Sequence, residues 1–561
     1  MSLKGAVIAG AVKIKTAKRL HTLYDALEHP ERSVEEGLRK VLEFGKDSAY
    51  GRKYDFEHIL EADTADELYS RYSKLPIIGY NDLDEYIDRS IHGESDILFK
   101  GRPIMYMITS GTTSKPKLLP VSEYFIRLIT DVTNMMLVRD LKLCGNFFDG
   151  KIFAITGKAR ESQTPDGTWI GSVSGYNREK MSETVKSTYA VPEEVFDVPD
   201  YNARYYLLMR FAVEQDVRYL ITPNPTTVIE LIENAKQNFD KYCDDIENGT
   251  INKELNISKE WRGILESKVK PNPKRAAKLR ALKSKNGTPL PKDYWPDMNV
   301  LCTWKCANTA FFIEEFRNIF SKSTKHMEFG YYSSECRFGF PFDESNYSTL
   351  FPHEYYTEFI REEEYGQPGA KTYKIHELEE GRNYRVIVST RAGLYRYDMA
   401  DIVVAGPKNR NTPTIKLLQK AAGIVSMTGE KLSEQQFNSA IKKASEITEK
   451  KINFFLGFAD IENLKYDIYA EFANGDISED DRRIFSDEVD KHLCGMNVEY
   501  AAKRESLRLN KPVVHCLPEN TFVKYKKALL ESGKAKDNQF KIMSLNQNDG
   551  LKAVIEGLSL N

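Results

Sequence analysis

Residues 109–117, TSGTTSKPK, gather the hydroxyls of Ser110, Thr112, Thr113 and Ser114 around Gly111, with Lys115 and Lys117 close behind. Hydroxyls and loop amides donate to phosphate oxygens, a glycine lets the backbone turn tightly, and ammonium groups hold a pyrophosphate by charge. The pattern is not a P-loop, which requires GxxxxGK[ST]. Residue types alone leave an ordinary polar turn open. Residues 330–335, GYYSSE, set an aromatic plane beside two hydroxyls and a carboxylate. Tyr331 or Tyr332 could stack on a base, and Glu335 could help hold magnesium against phosphate oxygens. An aromatic core followed by a surface glutamate would use the same residues. In YRYDMAD, residues 395–401, Asp401 stands directly before the apolar IVV, so a strand edge could hold its carboxylate to accept from both hydroxyls of a ribose. Arg396 and Asp398 could equally pair with each other as a structural ion pair. Lys541, in QFK near the C-terminus, reads on its own as a solvated lysine.

Such groups act together only if strands deliver them to one edge. The run IMYMI before the first loop predicts a short buried strand, and VRYLITPNP predicts another that enters a proline turn. TVIELIENAKQNF places Val228, Leu231, Ile232, Ala235 and Phe239 on one helical stripe. Residues 1 to about 100 predict helices and turns, among them one with Leu83, Tyr86 and Ile87 on a shared face. EFGYYSSE predicts strand, loop, helix; NYRVIVST a central strand; AGLYRYDMADIVV a turn, a polar cluster and a last short strand. Gly, Pro, Asn and basic residues crowd 405–420, as a connection between domains would require. Beyond it, Ser433 and Gln436 match a capping box, with Leu432 and Phe437 as its hydrophobic staple. The alternation of Tyr466, Ile468, Ala470 and Phe472 predicts a strand buried on one face.

A chain of 561 residues is too long for one core. Its 80 basic against 82 acidic side chains provide no global field for a nucleic-acid backbone. The basic stretch 268–285 lacks aromatic residues and predicts a solvated surface helix. No apolar run approaches the ~20 residues of a membrane helix, and the N-terminus does not read as an export signal. Seven scattered cysteines predict reduced thiols, hence a cytoplasmic protein. CTWKC lacks the second ligand pair of a zinc site, HEYYT lacks the second histidine of HExxH, and neither GxSxG nor a glycine-rich dinucleotide fingerprint occurs.

In this order the segments resemble the adenylate-forming, firefly-luciferase-like superfamily, and most closely its Gretchen Hagen branch of acyl acid–amido synthetases. The resemblance runs from about residue 25 to 545 and is strongest in YYSSECRFGFPFDESNYSTLFPHEYYTEFI and GRNYRVIVSTRAGLYRYDMADIVVAG. It implies an α/β adenylate-forming fold: a large multi-sheet body, residues 1–419, with a smaller mobile α+β domain, residues 420–561. It further implies that Ser110, Gly111, Thr112, Thr113 and Lys117 surround the phosphates of ATP. Tyr331 then packs the adenine with Ser334 beside it, and Glu335 is linked to Mg2+. Asp401 takes the ribose, and Tyr395 and Arg396 open the same YRxGD element. Lys420 begins the hinge, and Lys541, in NQFK, is the lysine of the mobile domain. Ser114 and Ala400 stand where the family pattern usually has glycine, IMS replaces TPR after Lys541, and CTWKCANTA lacks the usual TG.

The expected reaction is therefore activation of a small-molecule carboxylic acid as its acyl-AMP, then transfer to an amine, first of all an amino acid, by a monomer without a nucleic-acid or membrane partner. An acyl–coenzyme A ligase, an amide synthetase for another amine and a catalytically silent binding protein are the rival expectations. A nucleic-acid ligase would need a KxDG lysine, which is absent.

Overall fold

The computed structural model describes residues 2–109, 117–306, 313, 316–367, 369–420, 423–428, 430–532 and 543–559. The chain divides into two compact units. The first comprises Met1–Lys305, Phe312–Met399 and Val404–Lys416; the second comprises Cys306–Phe311, Ala400–Val403 and Leu417–Asn561.

The first unit is a multi-sheet α/β body. Lys151–Ala154, Val217–Ile221, Val300–Thr303 and Lys325–Glu328 form a fully parallel sheet in that order. Parallel strands need crossover helices, and helices cover such a sheet. Helix Pro225–Asn248 does this after the Val217–Ile221 strand; Asn224 caps it by accepting from the Thr226 amide at 3.0 Å, and Pro225 opens its first turn. The stripe read from the sequence, Val228, Leu231, Ile232, Ala235 and Phe239, is buried in the core of this unit. Helix Pro273–Asn286 explains the basic stretch: Ala276 and Leu279 enter the same core, while Arg280 pairs with Asp244 and Glu247 and Lys283 with Asp240. Part of its positive charge is answered within the protein.

Met105–Thr109 is the strand expected before the first loop, and Lys117–Val121 returns antiparallel to it with Thr109 opposite Lys117. Residues 110–116, between these two strands, lie outside the described residues. Residues 331–340 depart from the expected strand, loop, helix. Tyr331–Tyr332 is followed by a second strand, Arg337–Phe340, because the apolar RFGF alternates into a neighbouring strand instead of continuing a helical stripe. A larger departure lies at 405–420. The expected connecting segment is the body of a long hairpin, Tyr397–Asn409 with Thr412–Lys420, in a five-stranded sheet. Its turn is at Arg410, φ 57°, and Thr412 and Ile415 are fully buried. The loop-like residues Pro407, Lys408 and Asn409 sit at the exposed end of a strand whose buried part is IVVA, and composition does not distinguish the two.

The second unit is α+β. Its central sheet runs Val513–Cys516, Lys465–Phe472, Ile452–Asp460, Leu545–Asn546. Helix Glu434–Thr448 starts at the capping box: Ser433 Oγ accepts from the Gln436 amide at 3.2 Å and Gln436 Oε1 from the Ser433 amide at 3.1 Å. Leu432 and Phe437 enter the same core. The Lys465–Phe472 strand is buried on both faces, not one. Tyr466, Ile468, Ala470 and Phe472 point into one core and Tyr469 into a second, against Phe454, Phe458 and Phe522. A helix layer on each side of this central strand buries polar-looking positions that alternation assigned to solvent.

Candidate active site

Glu335 sits at the tip of the Tyr331–Phe340 hairpin. The Ser333 amide donates to the Cys336 carbonyl at 3.0 Å, and the Cys336 amide donates back to Ser333 Oγ at 3.2 Å. Ser334 and Glu335 are the two residues left at the turn, both half-buried. Among the described residues the Glu335 carboxylate makes no hydrogen bond or ion pair, so it remains able to take a cation. Gly330 leads into the hairpin at φ +106°, and a Cβ there would strike the Gly339 carbonyl; only glycine brings the chain in this closely. Tyr331 is buried, its ring stacked on Phe338 at 4.2 Å and 9°, and its amide donates to Ser348 Oγ at 3.1 Å. Tyr332 is the more exposed of the two tyrosines, with the Arg337 guanidinium 4.0 Å from its ring centroid.

Tyr395 is fully buried, stacked on Tyr50 at 5.0 Å and 23°, and its hydroxyl donates to the Leu98 carbonyl at 2.6 Å. So enclosed, its side chain presents no surface to a ligand. Arg396 does not pair with Asp398. Its Nε and Nη2 meet Glu358 at 2.9 and 3.0 Å, and Nη1 donates to the carbonyls of Ser73 and Leu75. Asp398 instead accepts from Arg385 at 2.6–3.0 Å and from the Tyr365 hydroxyl at 2.7 Å. The cause is local: Arg396 has φ +49°, which turns its side chain away from the face that residue 398 shares in the following strand. Glu358 went unnoticed in the sequence, although one glutamate inside the apolar YYTEFI was its signal.

Asp401 is 2% exposed and holds Lys420 Nζ at 2.6 Å from Oδ1. Both belong to the second unit, at the base of the 397–420 hairpin. Lys420, expected only as the start of a hinge, is thus the cation that fixes this carboxylate. Ala400 has φ +49°, which accounts for the glycine usual at that position: the left-handed region costs a Cβ about 1 kcal/mol.

Lys117 opens its strand with Nζ 5.3 Å from the Tyr80 ring centroid. The Tyr80 hydroxyl locks that strand end, accepting from the Leu118 amide at 2.7 Å and donating to the Leu118 carbonyl at 3.1 Å. Ser110, Gly111, Thr112, Thr113 and Lys541 lie outside the described residues. Just beyond Lys541 the chain is anchored, since Ser544 Oγ donates to Glu434 at 3.0 Å and Leu545–Asn546 pairs with Gly457–Phe458. The described residues contain no group of three or more His, Cys, Asp or Glu side chains placed to hold a metal ion. A single uncommitted glutamate at a hairpin tip suits magnesium, which keeps waters and substrate phosphates as most of its ligands.

Three family models match almost end to end: the GH3 family N-terminal domain over residues 19–325, the central domain over 348–420 and the C-terminal domain over 435–549. The chain belongs to the GH3 family. It is therefore an acyl acid–amido synthetase of the adenylate-forming superfamily, with the corresponding large body and smaller α+β domain. Among GH3 relatives, the indole-3-acetic acid-amido synthetase GH3.4 of Arabidopsis thaliana is 24% identical over 94% of this chain and 91% of its own. The jasmonoyl–L-amino acid synthetase GH3.5 of Oryza sativa subsp. japonica is 23% identical over 74% and 75%. The solved GH3.15 acyl acid amido synthetase superposes with a TM-score of 0.84, 19% identity, and 97% and 96% coverage. Among the described residues of this GH3 chain, no helix is long and apolar enough to cross a membrane.

Proposed function

We propose that this GH3 protein joins a carboxylic acid to an amino acid through an acyl-adenylate, releasing pyrophosphate and then AMP. The observation that carries the proposal is Glu335, a carboxylate without a partner among the described residues at the tip of a closed hairpin, in a chain matched by all three GH3 domain models. The names of the relatives support the acid and the acceptor: indole-3-acetate, jasmonate and, for an Arabidopsis thaliana ligase 23% identical over 71% of this chain, 4-substituted benzoates with glutamate.

A carboxylate is a poor acylating agent because oxide is a poor leaving group. Its attack on the α-phosphorus of ATP forms the acyl–phosphate bond and expels pyrophosphate; attack by the amine on the acyl carbon then expels AMP. Ser110, Gly111, Thr112, Thr113 and Lys117 hold the phosphates in this proposal, and Lys541 offsets the charge that develops on the leaving group. Magnesium, when bound, would lower the negative charge on the phosphates, with Glu335 as its protein ligand. Tyr331 and Ser334 line the adenine side. Asp401 takes the ribose hydroxyls, kept in place by Lys420, and Tyr395 and Arg396 act by anchoring the start of that strand. The division falls at 1–419 and 420–561, and the second part moves over the first to exclude water from the mixed anhydride. The protein works as a cytoplasmic monomer.

Incubation with ATP, magnesium, acids and amino acids tests this, with AMP and the conjugate read by mass. AMP formation that depends on coenzyme A instead of an amino acid overturns the amide product. Lys541→Ala is expected to suppress adenylation while circular dichroism stays unchanged; unaltered adenylation kinetics would refute its role.

A further inference from the structure

Arg337 lies two residues past Glu335 on the same hairpin and is 7% exposed. Three other deeply buried arginines meet a carboxylate within the chain: Arg139 meets Asp140, Arg210 meets Glu214 and Arg396 meets Glu358. Arg178 donates from Nη2 to the Val191 carbonyl and lies near Glu193 and Glu194 without an ion pair among the described residues. Arg337 has no such counter-ion among the described residues. Its hydrogen bond there runs from Nη2 to Thr133 Oγ1 at 3.4 Å, the long limit of such a bond. Ionisable groups near it include the phenols of Tyr332, Tyr355 and Tyr219 and the thiol of Cys302. The guanidinium rests on aromatic faces, 4.0 Å from the Tyr332 centroid and 4.9 Å from that of Phe329. Ring faces recover only part of the hydration that a buried cation gives up. A fork of N–H donors left this way matches a carboxylate, which brings the missing charge and two parallel acceptors.

We propose that Arg337 binds the carboxylate of the acid substrate, holding it by a guanidinium–carboxylate pair on the hairpin that also carries Glu335. The inference rests on the acid-activating function proposed above and adds the residue that selects an acid over its neutral analogues. The pair exists before adenylation and weakens once the carboxylate has become the mixed anhydride with AMP and lost its charge. Its loss therefore falls on the KM for the acid, while the KM for ATP stays unchanged.

The test is acid-dependent exchange of pyrophosphate into ATP, with benzoate, indole-3-acetate and jasmonate as the acids, in wild type, R337M and R337K. R337M is expected to raise the acid KM roughly 10- to 100-fold, the usual effect of one lost charge-assisted contact, with R337K between it and wild type. An acid KM in R337M within twofold of wild type overturns the proposal. If no acid supports exchange, the function fails separately, and ligand-dependent thermal stabilisation without ATP still decides on Arg337. Benzoate or another of these acids should then stabilise wild type but not R337M, and the matching carboxamide should stabilise neither. Equal shifts in both proteins, or no acid-specific shift in wild type, overturn the inference.

Discussion

Breaking the Arg396–Glu358 pair should be among the most damaging single changes in the first unit. Both side chains are almost fully buried, 6% and 2% exposed, and two N–H···O contacts at 2.9 and 3.0 Å join them. At a charge separation of ~4 Å the attraction is about 4 kcal/mol for an effective dielectric near 20. Desolvation offsets much of that gain while the pair is intact, but removing one partner leaves the other charge buried and costs about 3–5 kcal/mol. Arg396→Met also strips the carbonyls of Ser73 and Leu75 of their donor. For a unit of roughly 400 residues the unfolding entropy is ~0.85 kcal/mol per degree, so each single variant should lower its melting temperature by ~4–6 °C. The double variant Arg396→Met/Glu358→Leu should lose clearly less than the sum, because no lone charge remains. Scanning calorimetry on the full chain measures all three. Single-variant shifts below ~1 °C, or a strictly additive double variant, would refute a buried pair that holds the segment 396–401 in place.

Ala400→Gly removes a Cβ from φ +49° and is expected to stabilise the protein by ~0.5–1 kcal/mol in urea unfolding; destabilisation would show that this strain is not present in solution. His326, held by Thr303 Oγ1 at 2.8 Å and packed against Phe316, has its pKa lowered by burial from 6.5 to about 3. The unfolded chain takes up this proton below pH 6.5 while the folded chain does not. Stability is therefore fully present above pH 6.5 and falls by ~1.4 kcal/mol per pH unit below it, about 2 kcal/mol by pH 5. His326→Gln should flatten that slope in denaturant titrations at pH 5 and 7.5, and an equal slope in both proteins counts against it. Glu335→Gln should leave stability within ~0.5 kcal/mol of wild type, since the carboxylate has no partner among the described residues. The same variant should raise the magnesium needed for half-maximal pyrophosphate exchange roughly tenfold, about one lost charge–metal contact; an unchanged magnesium dependence removes Glu335 from metal binding.

Features governed by local spacing were legible in the sequence. The Met105–Thr109 strand, the stripe of the Pro225–Asn248 helix and the capping box at Ser433 each depend on residues within a turn or two of one another. The order of the GYYSSE and YRYDMAD segments likewise pointed to the family without any knowledge of the fold. What the sequence left open were partners far apart in the chain. Glu358 and Arg396 meet across 38 residues and Arg396 reaches back 323 to Ser73, while Lys420 closes on Asp401 from the opposite arm of a hairpin that composition presented as a linker. The second buried face of Lys465–Phe472 also depended on the helices laid over it. Periodicity records which side of an element is apolar, but a charge chooses its counter-ion only after desolvation makes the lone charge costly, and desolvation is a property of the packed molecule.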